Sequence, residues 1–323
     1  MEDALPPAAA PRRRWLPAWA GGVARLAATA GLLAYALREV DWSRFLQLLA
    51  AANWRWWAAG IATGIVVQIV AGIRWAELAR PLGFAFPRHV FVWRFFEGIF
   101  FSLCLPSSIG GDVVKAYRIG DTTSRRLLAG CSVLADRLTG LSALGVLGGA
   151  AVAAREFGLG LPATLALAAT LLVVVLLVFL AGVSSLDRLI AVIPAPHAVR
   201  EFAAQLLPYQ QRPSLIAKAV GWSFVVQMGG AISVGLMARA LGVDQPVSLW
   251  FAVVPMVALV MVLPISIGGF GVRENALTFL LSEQGVPGEK AVAVALLWGL
   301  STIILGLLGG LLFLLDRSRK PAV

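Results

Sequence analysis

Several charged side chains stand inside otherwise apolar stretches of this chain, and these are the residues best placed to do chemistry. They are Glu97, Asp112, Lys115, Arg118, Asp136, Arg137, Arg273 and Glu274. A charge in an apolar environment is costly unless it is paired or hydrated, so each is a functional candidate by default. Such clusters suit the binding of an ionic headgroup; the alternative is that Asp112 with Lys115, and Asp136 with Arg137, are structural ion pairs that lock helices.

A short phrase occurs twice in the chain and ends each time in a glycine pair. It reads LPSSIGG at 105–111 and LPISIGG at 263–269, and a cation follows each copy. Backbone N–H groups at a glycine-led helix start bind anions, and a cation one turn later adds positive charge. We therefore predict two sites for a phosphate-bearing lipid headgroup. Their residues are Gly110, Gly111, Asp112, Lys115 and Arg118 in the first, and Gly268, Gly269, Gly271, Arg273 and Glu274 in the second.

Supporting charges surround the first site. Asp112, Lys115 and Arg118 follow one another at intervals of three, which places them on one helix face. We expect Glu97 to be a partner for a basic residue rather than a proton carrier, and we count Asp136 and Arg137 as further supporting charges.

The composition assigns the chain to the membrane proteins. Of its 323 residues 59% are hydrophobic and only 14% charged, and the mean hydropathy is +0.84. Soluble domains have roughly 45–50% apolar and about 25% charged residues. The net charge of +10 fits the Lys- and Arg-rich cytoplasmic loops of membrane proteins, and we expect no nucleic-acid partner.

The reactive residue types are too scattered for an enzyme or a metal site. Cys104 and Cys131 both lie in apolar stretches, and His89 and His197 are isolated in the sequence. Zinc sites need clustered Cys and His ligands. Hydrolytic sites need a nucleophile with its base, and no such set can be assembled. We expect no metal, no cofactor and no catalytic residues.

Apolar segments predict an all-α polytopic integral membrane protein. A spanning helix needs ~20 apolar residues, and six segments qualify: about 18–37, 54–73, 127–152, 161–182, 214–238 and 290–315. Two shorter segments, 90–104 and 248–262, stop at the repeated phrase and are followed by the semi-polar segments 112–124 and 270–283. We expect each phrase at the tip of a re-entrant broken-helix pair, because irregular backbone is tolerated only inside protein or a wet cavity. The alternative is a kink joining two full spans.

The charge distribution predicts the topology. With both termini in the cytoplasm, most of the 27 lysines and arginines fall on the cytoplasmic side, as the positive-inside rule requires. The two phrases are then approached from opposite sides, as in an inverted repeat. The predicted divisions are a cytoplasmic tail (1–17), one transmembrane domain (18–316) with half-repeats at about 54–152 and 214–315 and a cytoplasmic amphipathic linker (184–212), and a final cytoplasmic tail (317–323).

At these motifs the sequence resembles the flippase-like transmembrane domain of the lysylphosphatidylglycerol synthase family. The motifs are LPSSIGGDVVKAYRIG (105–120), DRLTGL (136–141) and LPISIGGFGVRENAL (263–277), with Arg74 and Trp75 upstream. The resemblance runs from about 20 to 315. The positions that match the family's motifs are Gly110, Gly111, Asp112, Asp136, Arg137, Gly269, Gly271, Arg273 and Glu274. Lys115 stands where the family often has Arg.

The resemblance implies a domain that translocates or accommodates phospholipids in a bacterial inner membrane. In two-domain members a separate soluble domain makes the aminoacyl transfer. This chain ends at Val323, a few residues after its last predicted span, so we expect that domain and its synthase activity to be absent. Two functions remain: a flippase- or scramblase-like transporter of a phosphate-bearing lipid, or a non-transporting subunit that presents a lipid to a glycosyltransferase or another lipid-modifying enzyme.

Overall fold

The computed structural model of the chain describes most of the transmembrane domain. It covers residues 18–38, 40–105, 110–158, 160, 163–164, 167–168, 170–172, 174, 205–263 and 265–317. All regular structure in these ranges is helical, which confirms the predicted fold class. Five predicted features lie wholly or mostly outside the described residues: the two tails, the middle of the first phrase (106–109), much of the span 161–182, and the amphipathic helix expected after 184.

The helices match the predicted segments closely. They are α1 (Ala18–Leu37), α2 (Trp42–Ala50), α3 (Trp54–Ala79), α4 (Arg88–Cys104), α5 (Gly110–Ile119), α6 (Thr123–Glu156), α7 (Leu207–Gln211), α8 (Pro213–Ala240), α9 (Val247–Met261), α10 (Val272–Ser282) and α11 (Gly288–Arg317). Within the described residues, α3, α6, α8 and α11 are long and apolar enough to cross a bilayer. The chain is therefore an integral membrane protein. The short helix α2 was not predicted.

The long helices α3 and α8 lie antiparallel against each other at the centre of the molecule. Asn53 N donates to Ala240 O at 2.8 Å at one end, and Ser233 Oγ donates to Gly60 O at 2.7 Å further along. Near the other end, Arg74 Nη1 donates to Ser223 Oγ at 2.8 Å. Each half of the predicted repeat contributes one of these helices, so corresponding helices of the halves run in opposite directions.

The helices α4 and α5 form a hairpin against α11. Arg94 on α4 and Arg118 on α5 both bind Asp316, at 2.9 and 2.5 Å. The start of α4 and the end of α5, which form the open end of the hairpin, therefore lie beside the same part of α11. At the far end of α4, Leu103 packs against Gly306. Because Gly306 lies eleven residues before the end of α11, the hairpin tip stands beside the middle of that helix. This is the geometry that re-entrance requires, and a kink joining two full spans would separate Arg94 from Arg118.

The second phrase also lies beside the middle of α11, and it approaches from the opposite end of that helix. It joins α9 to α10, and the Arg273 guanidinium contacts Gly299, which lies eleven residues after the start of α11. An added Cβ on Gly268 would lie 3.2 Å from Cδ2 of Leu103, so the second phrase also contacts the end of α4. The end of α4 and the second phrase therefore contact each other beside the middle of α11.

Two glycine-rich seams pack differently in the two halves. The sequence LGVLGG (144–149) on α6 recurs as LGLLGG (305–310) on α11. The helix α4 packs directly against the glycines of the α11 seam, because Gly309 faces the backbone of Phe96 and Gly310 faces the ring of Phe100. On α6 the corresponding glycines instead line an open apolar groove of about 930 Å³ beside α9 and α10. The same motif is thus closed in one half and open in the other.

Candidate functional site

The cations of the first site are held by one carboxylate. Lys115 Nζ lies 2.7 Å from Oδ1 of Asp112, and Arg137 Nε donates to Oδ2 of the same side chain. Asp112 and Lys115 are buried, whereas the Arg137 side chain is 40% exposed. Lys115 Nζ also stands 4.6 Å from the centre of the Phe95 ring, an arrangement that stabilises a cation. One carboxylate therefore joins a cation of α5 to a cation of α6.

The glycine pair of the first phrase serves close helix packing. A Cβ on Gly111 would overlap the carbonyl oxygen of Gly98 and Oγ of Ser102. An added Cβ on Gly98 would in turn lie 3.0 Å from Cγ and Cδ of Lys115. Glycine at both positions lets α5 approach the backbone of α4, and this contact positions Asp112 and Lys115.

Glu97 belongs to a second cluster at the open end of the hairpin. Its carboxylate is fully buried and accepts from Arg94 Nη1 at 2.6 Å and from Arg118 Nε at 3.2 Å, which confirms the expected basic partner. Asp316 on α11 completes the set by binding the same two arginines. Among the described side chains, two acids balance two bases here, and the cluster joins α4, α5 and α11. Arg118 therefore binds Glu97 and Asp316 and not Asp112, although the spacing in the sequence predicted that Arg118 and Asp112 belong to one site.

Asp136 and Arg137 do not pair with each other. Adjacent residues on a helix point about 100° apart, and the structure gives them different partners. Asp136 Oδ1 accepts from Arg74 Nε at 2.7 Å, and both side chains are almost fully buried. The alternative of an Asp136–Arg137 pair is therefore wrong, and the buried ion pair that does form takes its cation from α3. Sequence reasoning missed that role for Arg74 and missed Asp316 altogether.

The second site holds a fully buried ion pair of neighbouring residues. Arg273 Nη2 lies 2.6 Å from Oε1 of Glu274, and neither side chain is exposed. The guanidinium carbon stands 4.6 Å from the centre of the Phe270 ring and 5.7 Å from that of Trp298. Within the described residues Arg273 Nη1 has no hydrogen-bond partner. This site has one cation and one anion.

The start of α10 differs from the predicted anion site. Gly271 N donates to Oε2 of Glu274 at 2.5 Å, so a carboxylate of the chain already occupies this helix start. Gly268, Gly269 and Gly271 have φ values of 59°, 77° and 82°, which other residues rarely adopt. The glycines of the second phrase therefore serve a backbone turn that returns α10 toward α9.

A central chamber lies between the two hairpins. Its volume is about 290 Å³. Its polar lining consists of Gln68, Gln227, Ser233, Trp298, Ser301 and Thr302. Trp298 connects it to the second site through Arg273, and Ile99 on α4, next to Gly98, connects it to the first. The signal that could have located it is the presence of a polar amide in the middle of both α3 and α8.

The structure brings the two predicted sites close to one chamber. Their residues lie near the chamber and not in its described lining. The first site comprises Gly110, Gly111, Asp112, Lys115 and Arg137 on α5 and α6, and the second comprises Gly268, Gly269, Gly271, Arg273 and Glu274 at the start of α10. Within the described ranges, no group of three or more His, Cys, Asp or Glu side chains is arranged to hold a metal ion.

Comparison with known proteins agrees with the residues that carry the resemblance. A search of curated proteins gave no match. The family model described as the lysylphosphatidylglycerol synthase TM region matches residues 22–310, which include both hairpins, the chamber and every candidate site residue. The chain therefore belongs to the lysylphosphatidylglycerol synthase transmembrane family.

Proposed function

We propose that this protein is a flippase- or scramblase-like transporter that moves a phosphate-bearing lipid between the leaflets of a membrane. The observation that carries the proposal is the contact between the end of α4 and the second phrase, each near a charged cluster, beside one chamber that contains polar side chains. Broken helices at the interface of two half-repeats are a recurring plan of transporter binding sites.

The charges of the first site suit a passing phosphate. Asp112 binds both Lys115 and Arg137, so both cations are partly neutralised where a passing anion would meet them. Transport requires binding strong enough for entry and weak enough for release. A partly neutralised cation pair meets both conditions better than two free cations would.

The proposal includes the orientation of the protein and its lack of catalysis. We place both termini in the cytoplasm of a bacterial cell and the two hairpins on opposite sides of its inner membrane, as an inverted repeat. The antiparallel packing of α3 and α8 supports the inverted arrangement. The chain then supplies transport alone, and aminoacyl transfer belongs to a separate domain in two-domain members of the family.

The alternative function is a membrane subunit that presents a lipid to a glycosyltransferase or another lipid-modifying enzyme. The second site favours it, because Arg273 and Glu274 neutralise each other and Glu274 occupies the helix start. A subunit of this kind needs one working headgroup site, whereas a transporter needs access from both leaflets.

Reconstitution in lipid vesicles tests the proposal. The purified chain is inserted into vesicles of phosphatidylcholine with a trace of tail-labelled phosphatidylglycerol, and quenching of the outer leaflet reports how much label crosses. We expect faster crossing than in protein-free vesicles, and no acceleration for labelled diacylglycerol, which lacks phosphate. If the protein binds phosphatidylglycerol but does not accelerate its crossing, the presenting subunit replaces the transporter.

A further inference from the structure

The central chamber lies where the two halves of the molecule meet. Gln68 follows the first residue of α3 by fourteen positions, and Gln227 follows the first residue of α8 by the same number. The helices cross antiparallel, with Gly229 packed against Val67. The two glutamines are therefore equivalent positions of the halves, and both line the chamber.

The hydroxyl groups of the chamber donate their protons elsewhere. Ser233 Oγ donates to Gly60 O at 2.7 Å, Ser301 Oγ to Leu297 O at 2.8 Å and Thr302 Oγ1 to Trp298 O at 3.0 Å. In the hydroxyl of Ser or Thr only one proton is available for donation. What these residues can still offer to the chamber is acceptor lone pairs.

The glutamine amides and the indole N–H of Trp298 are the remaining donors among the described lining residues. Each amide nitrogen carries two protons, whereas the indole carries one. Gln227 Nε2 makes one long hydrogen bond, 3.4 Å to Gly140 O, and Gln68 makes none with the described residues. Among the described residues, no charged side chain lines the chamber. The chamber thus offers uncharged donors between two charged sites.

We propose, building on the transport function above, that the chamber is the midway binding site for the phosphate group of a small lipid headgroup, and that Gln68 and Gln227 donate hydrogen bonds to it. An uncharged amide binds phosphate oxygens more weakly than a cation does, so the headgroup is held without being trapped. The volume of about 290 Å³ corresponds to roughly ten water molecules at ~30 Å³ each. That is enough for a phosphate with a short polar substituent.

Replacement of both amides tests the donor role. The variant Gln68→Met/Gln227→Met keeps side-chain length and removes the hydrogen bonds, and Gln47→Met on the exposed face of α2 is the matched control. We expect the double variant to slow the crossing of labelled phosphatidylglycerol about ten- to a hundredfold, the size expected for lost hydrogen bonds to a charged group. The Gln47→Met variant should move labelled phosphatidylglycerol at the wild-type rate. Gln227→Lys should bind phosphatidylglycerol more tightly and still move it more slowly.

The outcomes separate this proposal from the function on which it rests. If the wild-type protein moves no phosphatidylglycerol, the transport function fails and the chamber assignment fails with it. If the wild type moves the lipid and the folded double variant moves it equally fast, only the chamber assignment fails.

A binding measurement gives a second readout that does not depend on transport. Phosphatidylglycerol should raise the unfolding midpoint of the wild-type protein in detergent more than that of the double variant, and inorganic phosphate should leave both unchanged. An equal rise in the two proteins overturns the donor role. A rise with inorganic phosphate assigns the chamber to free phosphate and overturns the lipid headgroup.

Discussion

Arg74 Nε lies 2.7 Å from Oδ1 of Asp136, and this pair joins α3 to α6 in the interior of the protein. Arg74 Nη1 also donates to Ser223 Oγ, so the same guanidinium reaches α8. Three of the long helices are thereby joined through one cation. The pair is a structural centre of the fold, and the charges that face the proposed lipid path lie elsewhere, at Asp112, Lys115 and Arg273.

Removal of one partner of the Arg74–Asp136 pair should be more harmful than removal of both. Asp136→Asn leaves an uncompensated buried cation, and we expect a loss of roughly 3–5 kcal/mol in the free energy of unfolding. The double variant Arg74→Met/Asp136→Leu should recover much of that loss. Denaturant unfolding in detergent measures both. The exposed pair Arg88–Glu77 is the control, and its loss should cost at most about 1 kcal/mol. Additive effects of the two buried substitutions would contradict the prediction.

The two acids at the open end of the first hairpin should differ in importance. Glu97 is fully buried, whereas the side chain of Asp316 is 22% exposed, and both bind Arg94 and Arg118. Water can solvate the arginines after Asp316→Asn but not after Glu97→Gln. We therefore expect Glu97→Gln to lower the unfolding midpoint more than Asp316→Asn does. Equal shifts would mean that burial does not decide the strength of this cluster.

Lys115 should be required for lipid crossing. It is the buried cation of the first site, and Lys115→Met should slow the crossing of labelled phosphatidylglycerol in vesicles at least about tenfold, as expected for loss of a charge-assisted contact. Lys290→Met is the matched control, because Lys290 donates only to Gly242 O in a loop. Arg273→Met should also slow crossing if both sites are used. If the folded Lys115→Met variant moves the lipid at the wild-type rate, the first site does not lie on the transport path.

The glycine seams should respond in opposite ways to the same substitution. A Cβ on Gly309 would overlap the carbonyl oxygen of Phe96, so Gly309→Ala should destabilise the protein by about 1–3 kcal/mol. Nothing lies within 4 Å of a Cβ added to Gly145. Gly145→Ala should therefore be neutral or stabilise by about 0.4–1 kcal/mol. Thermal unfolding of the two variants compares them directly, and similar losses would show that both seams are closed.

The start of α2 should respond to acid. The Asp41 carboxylate caps this helix, and hydrogen bonds from the Ser43 hydroxyl and from Arg44 N lower its pKa below the ordinary value. Because the folded pKa is depressed, the cap stabilises α2 above the ordinary pKa of aspartate, and the effect is lost as the pH falls through the lowered pKa. The protection factors for hydrogen exchange at Ser43 N and Arg44 N should fall over that range. In Asp41→Asn, which keeps an acceptor at every pH, the protection factors should stay constant.

Much of the fold could be predicted from the sequence, because apolar length and helix-breaking residues act locally. The helices α3, α4, α6, α8, α9 and α11 begin or end within a few residues of the predicted positions. The helix α2 was not predicted because nine residues are too few to give a clear apolar span. Asp41, a residue type that commonly caps the start of a helix, was the signal that could have located it.

Residue type and order alone show that charges lie inside apolar segments and that a glycine-terminated phrase occurs twice, because both features are read directly from the chain. Which charges meet depends on how the helices pack. Asp136 and Arg137 are neighbours in sequence but bind Arg74 and Asp112, because helix geometry turns adjacent side chains apart. The chamber likewise depends on the crossing of α3 and α8, which brings Gln68 and Gln227 to its wall from positions 159 residues apart.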